Sequence, residues 1–225
     1  MLRLVFFILY VMIYRLFFLL LLITSFSVFG QNSKKMLVYK TSPYELKYAS
    51  NHIEEIINYN KNDSTVKMYI ADGATVDSLI KRSTKPYKVV MIYTYWCPAV
   101  RENLPKFLSF INTNQEKFDL FLVTGDMYSK SPLRNKVALN NYYLAAELHY
   151  YAPVYILDYE KYGKRIRGFS RIDKYIEETC AICNTKKMGY TAQIVYGSKN
   201  EILYYAGWET SAEEDIKKLD HLPLD

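Results

Sequence analysis

Residues 87–96 read YKVVMIYTYW, ten residues with a single charge, and they run straight into Cys97-Pro98. An apolar, β-branched and aromatic run of that length suits a strand covered on both faces, inside an α/β sheet. Proline right after the cysteine suits the first turn of a helix, where its N–H would have no partner anyway. Leu104, Phe107, Leu108 and Ile111 then recur at helical spacing, with Pro105 expected to kink that helix. The chain is thereby committed to a strand–cysteine–helix unit. A thiol in that position meets unpaired backbone N–H groups and the positive end of the helix dipole. Both favour the thiolate and make the sulfur nucleophilic.

The rest of the chain supplies elements of the same kind. Residues 44–58 carry Leu46, Ile53, Ile56 and Ile57 among charges, which predicts a helix. A short strand is expected over 66–70, then a helix capped by Thr75 and running to about Arg82. KFDLFLVTGD (117–126) and APVYILD (152–158) read as two further buried strands, with a helix over 133–149 between them. Residues 171–182 are helical in pattern, with Ile172, Tyr175, Ile176 and Thr179 on one face. TAQIVYG and EILYYAG flank the turn Ser198-Lys199-Asn200 as a hairpin. A closing amphipathic helix opens with a Ser211/Glu214 capping box. Alternating strands and helices predict a central, mostly parallel sheet with helices on both faces, and the hairpin adds antiparallel edges.

The N-terminus carries an address. LFFLLLLI (16–23) follows Arg15 and precedes TSFSVFGQ, the charged, apolar and small-residue regions of a secretory signal, with cleavage expected near Gly30–Gln31. From Met12 onward the signal is complete by itself, so the first eleven residues are either an early start or part of a longer anchor. A transmembrane helix over 4–29 is the competing reading. It would place Arg15 near mid-bilayer at a cost of about 3 kcal/mol. No cysteine lies at the cleavage region, which argues against a lipoprotein. The expected place of action is the periplasm or cell envelope, with membrane contact only through that segment if it is retained. The lysines are scattered although the net charge is +6, so a nucleic-acid surface is not expected.

Outside the cytoplasm cysteines pair. There are three, Cys97, Cys180 and Cys183, so at least one stays free unless it bridges two molecules. Cys180-Ala-Ile-Cys183 has the spacing of a redox pair and of half a zinc site. No second such pair exists, and the histidines are His52, His149 and His221, so neither a metal nor any other cofactor is expected. A local Cys180–Cys183 disulfide or a bridge from one of them to Cys97 both remain open. Asp126, after a strand end, is a weaker candidate for function. Glu102 reads as a solvated first-turn acid, and Arg101 either adds positive charge near the sulfur or points to solvent.

Tyr95-Trp96-Cys97-Pro98 after a buried strand, continued by Arg101, Glu102 and Pro105, resembles the exported TlpA/ResA-type thiol–disulfide oxidoreductases of the thioredoxin fold. The resemblance covers roughly residues 75–220, and the terminal strand–turn–strand–Gly207–helix fits it too. It implies an α/β, thioredoxin-like fold: a central mixed sheet with helices on both faces. It divides the chain into a signal or anchor (1–30), an extension of helix and short strand (31–74) and a thioredoxin-like domain (75–225). It implies Cys97 as nucleophile, Trp96, Pro98, Tyr190 and Thr191 as substrate contacts, and protein thiols or disulfides, with an envelope or membrane-bound reductant, as partners. Two departures stand out. Val100 occupies the place of the second, resolving cysteine, for which Cys183 or Cys180 could substitute. Thr191 occupies the place of the family's cis-proline, with Pro153 a weaker equivalent.

Three functions follow from these residues. Cys97 acts as a single-thiol oxidoreductase; or the site is redox-inactive and the old groove binds a protein or peptide. The third is peroxide reduction. Thr94 and Pro98 match the surroundings of a peroxiredoxin's reactive cysteine, although Val90 stands where that family has an earlier proline.

Overall fold

The computed structural model describes residues 46–59, 66–125, 137–163 and 168–223. All of them fall within one unit of the chain, 43–225. The N-terminal signal or anchor, its cleavage region and Asp126 lie outside the described residues. Among the described residues no helix is long and apolar enough to cross a membrane.

Seven strands form one sheet: β1 (Lys47–Tyr48), β2 (Met68–Ala71), β3 (Tyr87–Tyr93), β4 (Phe118–Thr124), β5 (Val154–Leu157), β6 (Gln193–Tyr196) and β7 (Ile202–Ala206). Their spatial order is β1-β2-β5-β4-β3-β6-β7. The helices are α1 (Ile53–Ile57), α2 (Gly73–Arg82), α3 (Pro98–Thr113), α4 (Val137–Tyr142), α5 (Tyr159–Tyr162), α6 (Gly168–Thr179) and α7 (Ala212–Asp220). α3 packs with α7, and α2 with α6, giving a helical layer on each face of the sheet.

The apolar run is the middle of the molecule. All seven residues of β3 are buried. β3 lies parallel to β4 over its whole length, Tyr87 opposite Phe118 through Tyr93 opposite Thr124. On its other side it runs antiparallel to β6, with Met91 opposite Gln193, and β6 continues into the β7 hairpin. A parallel β–α–β unit joined through a central strand to an antiparallel hairpin and a closing helix is the thioredoxin-like arrangement. The one charge in the run, Lys88, is 2% exposed, and its ammonium donates to the Gly197 carbonyl oxygen at 3.2 Å. The hairpin turn thus compensates a charge that burial would otherwise penalise.

Several local expectations are corrected. Residues 46–58 are not one helix: β1 pairs in parallel with β2, a 3₁₀ turn covers Ala49–Asn51, and α1 has only five residues. Sheet pairing of Lys47 and Tyr48 competes successfully with a helix start. Asp72, not Thr75, caps α2; its carboxylate accepts from the Thr75 backbone N–H at 2.9 Å and from the Thr75 hydroxyl. A carboxylate there satisfies a free N–H and meets the positive helix end together. Pro105 lies inside α3, as expected, and the buried face of that helix comprises Val100, Leu104, Phe107, Leu108 and Ile111. The 133–149 helix is described from Val137 onward, as α4 followed by a π-helical turn at Tyr143–Glu147.

Candidate active site

β3 ends at Tyr93; buried Thr94 and the turn residues Tyr95 and Trp96 then deliver Cys97 to the N-cap of α3. Its carbonyl oxygen accepts the first helical bond, from Arg101 N–H at 3.0 Å. Pro98 fills the next position, where no N–H is needed. Cys97 is half-buried and its thiol is free. Val100 is fully buried, so the position of the absent second cysteine faces the core.

Arg101 does not serve the sulfur. Its guanidinium pairs with the Glu147 carboxylate and lies 5.2 Å from the Tyr143 ring centroid. That ties the first turn of α3 to the π-helical turn. Glu102 is exposed, 3.7 Å from Lys106.

The facing wall comes from the segment after α6. Cys180 and Cys183 form a disulfide, their Cα atoms 5.4 Å apart. The Cys97–Cys183 bridge is not formed: two cysteines three residues apart at a helix end already lie within bridging distance of each other. Cys180 is buried and Cys183 half-buried. Asn184 then caps a 3₁₀ turn, Thr185–Lys187, accepting from Lys186 N–H. Thr191 N–H donates to the Ile92 carbonyl oxygen and Ile92 N–H to that of Ala192, both at 2.8 Å. These two bonds hold the loop against β3 five residues before Cys97. No cis peptide occurs among the described residues; Thr191 instead takes φ 93°, a left-handed value rarely seen for a β-branched side chain. Pro153 precedes β5, which lies between β2 and β4 and does not pair with β3, so the strand order after residue 150 stands as expected.

Between the two walls is a cavity of about 480 Å³ that includes Cys97, Asp173, Lys186, Met188, Tyr190 and Trp208 in its lining. Of the residues expected to meet a substrate, Cys97 and Tyr190 line it. Trp96 and Thr191 are outside the lining: Thr191 is buried, and the exposed Trp96 ring meets Tyr190 edge-on with centroids 5.1 Å apart. Pro98 is exposed on the first turn of α3. Trp208, Asp173 and Lys186 are among the lining residues that the sequence does not single out. Trp208 is 61% exposed in the loop after β7 and its backbone N–H donates to the Lys187 carbonyl oxygen at 3.2 Å. A tryptophan just outside a predicted strand end was the available signal. Asp173 and Lys186 carry no local signal, because only the fold brings α6 and the 3₁₀ turn to Cys97. Burial, reinforced by Glu177 one turn on, holds the Asp173 carboxyl above the usual carboxylate range.

Neither a protein-family model nor a curated protein matches the sequence. Among solved structures, the thioredoxin domain of a thiol–disulfide oxidoreductase from Bacteroides vulgatus is 15% identical, with 61% of this chain and 79% of that one covered and a TM-score of 0.40. StoA from Bacillus subtilis is 17% identical, with 60% and 84% covered and a TM-score of 0.38. The exposed lipoprotein thioredoxin of Streptococcus pneumoniae is 12% identical, with 62% and 87% covered and a TM-score of 0.42. The fold assignment itself rests on the strand order and connectivity given above.

Proposed function

We propose that this protein is a thiol–disulfide oxidoreductase in which Cys97 is the nucleophile. One observation carries the reading: of the three cysteines, the one left with a free thiol sits at the N-cap position of a long helix and lines a cavity. The Cys97 thiolate attacks one sulfur of a substrate disulfide. That S–S bond breaks, a mixed disulfide forms on Cys97, and the departing sulfur takes a proton from water. With valine at position 100, release needs another thiol. An external protein or envelope thiol can attack the mixed disulfide. Alternatively an envelope dithiol reduces the Cys180–Cys183 disulfide by exchange and is itself oxidised. A thiolate of the pair, with half-buried Cys183 the more accessible, then attacks the Cys97 sulfur, the mixed disulfide breaks, and the substrate leaves as a thiol. With the N-terminal segment read as an export signal, the partners are thiols and disulfides outside the cytoplasm.

A second reading, a redox-inactive module that binds a protein or peptide, draws support from Trp208 and Trp96, which are 61% and 44% exposed around the site.

The deciding experiment traps mixed disulfides in the protein's native compartment. Wild type is compared with Cys97→Ser and with Cys180→Ser/Cys183→Ser, and adducts are mapped by non-reducing mass spectrometry. Adducts on Cys97 that vanish in Cys97→Ser support the oxidoreductase. A Cys97 that is alkylated only after unfolding, with Cys97→Ser retaining full biological activity, leaves the binding module standing. If the pair resolves, the double variant accumulates the Cys97 adduct.

A further inference from the structure

The cavity at Cys97 is lined by two opposite charges that the chemistry proposed above does not use. Asp173 comes from α6 and Lys186 from the 3₁₀ turn after the disulfide. Neither side chain makes an ion pair with a described residue, although ion pairs are common elsewhere, as at Lys187–Glu209 and Lys161–Glu178. Asp173 is half-buried. Among the described residues Glu177, one turn on, acts on its charge, and Lys186 is the cationic side chain in the same lining. Burial and Glu177 both disfavour its charged form, so a cationic group arriving in the cavity would relieve it. Buried Met188 and Tyr190 and the exposed Trp208 supply apolar surface in the same lining. About 300–1,000 Å³ is the size range of small-molecule sites, and this cavity falls inside it.

We propose that the cavity takes a small zwitterionic disulfide of the α-amino-acid type, its ammonium at Asp173, its carboxylate at Lys186 and one sulfur at Cys97. The inference rests on Cys97 being the nucleophile and names its substrate class. The Cys97 thiolate attacks the near sulfur. The ligand's S–S bond breaks, the Cys97–ligand disulfide forms, and the other half leaves as a thiolate that takes up a proton from water. A second small thiol, as its thiolate, attacks the ligand sulfur of the adduct. That restores the Cys97 thiolate and a free disulfide, so electrons are exchanged with no further oxidant.

The test uses the full chain and four small disulfide probes of different charge: cystine (zwitterionic), cystamine (cationic), dithiodipropionate (anionic) and hydroxyethyl disulfide (neutral). The rate of Cys97 adduct formation is followed by mass spectrometry, each rate divided by that of the protein unfolded in denaturant. Cystine is expected to exceed the neutral probe by about fivefold, the scale of one well-placed ion pair. Asp173→Asn should lower the cystamine-to-dithiodipropionate ratio and Lys186→Gln should raise it. Lys186 is exposed, so that variant tests the charge pair even if Asp173→Asn disturbs folding, which a thermal melt would reveal. Equal normalised rates for all four probes, or ratios unmoved by Lys186→Gln, overturn the substrate class and leave the oxidoreductase intact. Reaction with a disulfide-bonded peptide faster than with cystine overturns it in favour of a protein substrate. No adduct with any probe overturns both.

Discussion

Gly207, at the end of β7, approaches the Lys187 carbonyl so closely that a Cβ added there would stand 1.8 Å from its oxygen. Trp208 N–H then donates to the same oxygen at 3.2 Å. Backbone, not a flexible side chain, is what the new atom would meet, so the loop itself must move. Gly207→Ala is therefore expected to destabilise the protein by about 1–3 kcal/mol. It should also shift the wall carrying Lys186 and Met188. Urea unfolding followed by tryptophan fluorescence checks both, since Trp208 sits on the contact. An unchanged midpoint and an unchanged native spectrum would remove this contact as a support of the cavity.

Inserting the proline absent at position 191 is expected to harm the protein. Thr191 takes φ 93° and its N–H donates to the Ile92 carbonyl oxygen. Proline fixes φ near −65° and has no N–H, and where both matter the cost is about 3 kcal/mol or more. Thr191→Pro should lower the thermal midpoint and slow the formation of Cys97 adducts. A variant as stable as wild type would mean that the loop can reorganise into the cis-proline form.

What could be read from the sequence was whatever depends on neighbours in the chain. The β3 run announced its own burial. Ser211 and Glu214 form both bonds of their capping box, and the hairpin pairs Gln193 with Ala206, as turn chemistry and alternation predict. The cap of α2 lies at Asp72, three residues before the Thr75 that the pattern predicts, because both are good caps and the sheet decides where β2 stops. The site divides in the same way. Cys97 was legible from its motif, and Tyr190 from the family resemblance of the loop that carries it. Asp173, Lys186 and Trp208 were not, since their meeting depends on how α6 and the β7 loop fold back. Arg101 had two plausible fates in sequence, and a third, pairing with the π-helical turn, was adopted.

Because Arg101 is engaged with Glu147 and Tyr143, Arg101→Gln should leave the rate of Cys97 alkylation in the folded protein unchanged. It should cost about 1 kcal/mol of stability, the sum of an exposed ion pair and a cation–π contact. Alkylation kinetics beside a urea melt separate the two effects. A markedly slower Cys97 in the variant would return Arg101 to the sulfur.

Asp215 of α7 is 2% exposed. Its carboxylate accepts from Gln193 Nε2 at 3.2 Å, from the Thr210 hydroxyl at 3.1 Å and from the Tyr204 hydroxyl. The network fastens the closing helix to both strands of the hairpin. Burial raises the Asp215 carboxyl above its ordinary value; the Tyr204 and Thr210 hydrogen bonds and Lys218 oppose the rise without cancelling it, and Glu214 adds to it. A carboxyl raised in the folded state contributes stability in acid that is lost as pH rises through its folded pKa. The Tyr204 donor matters most once the group is charged. Tyr204→Phe is therefore expected to cost about 1–3 kcal/mol near neutral pH. The gap to wild type should narrow as pH falls through the raised folded pKa of this carboxyl, where it gains its proton, and urea midpoints of both proteins from neutral into acid measure it. A gap that stays constant or widens in acid would mean that Tyr204 acts through packing and its contact with Lys218, not through the Asp215 charge.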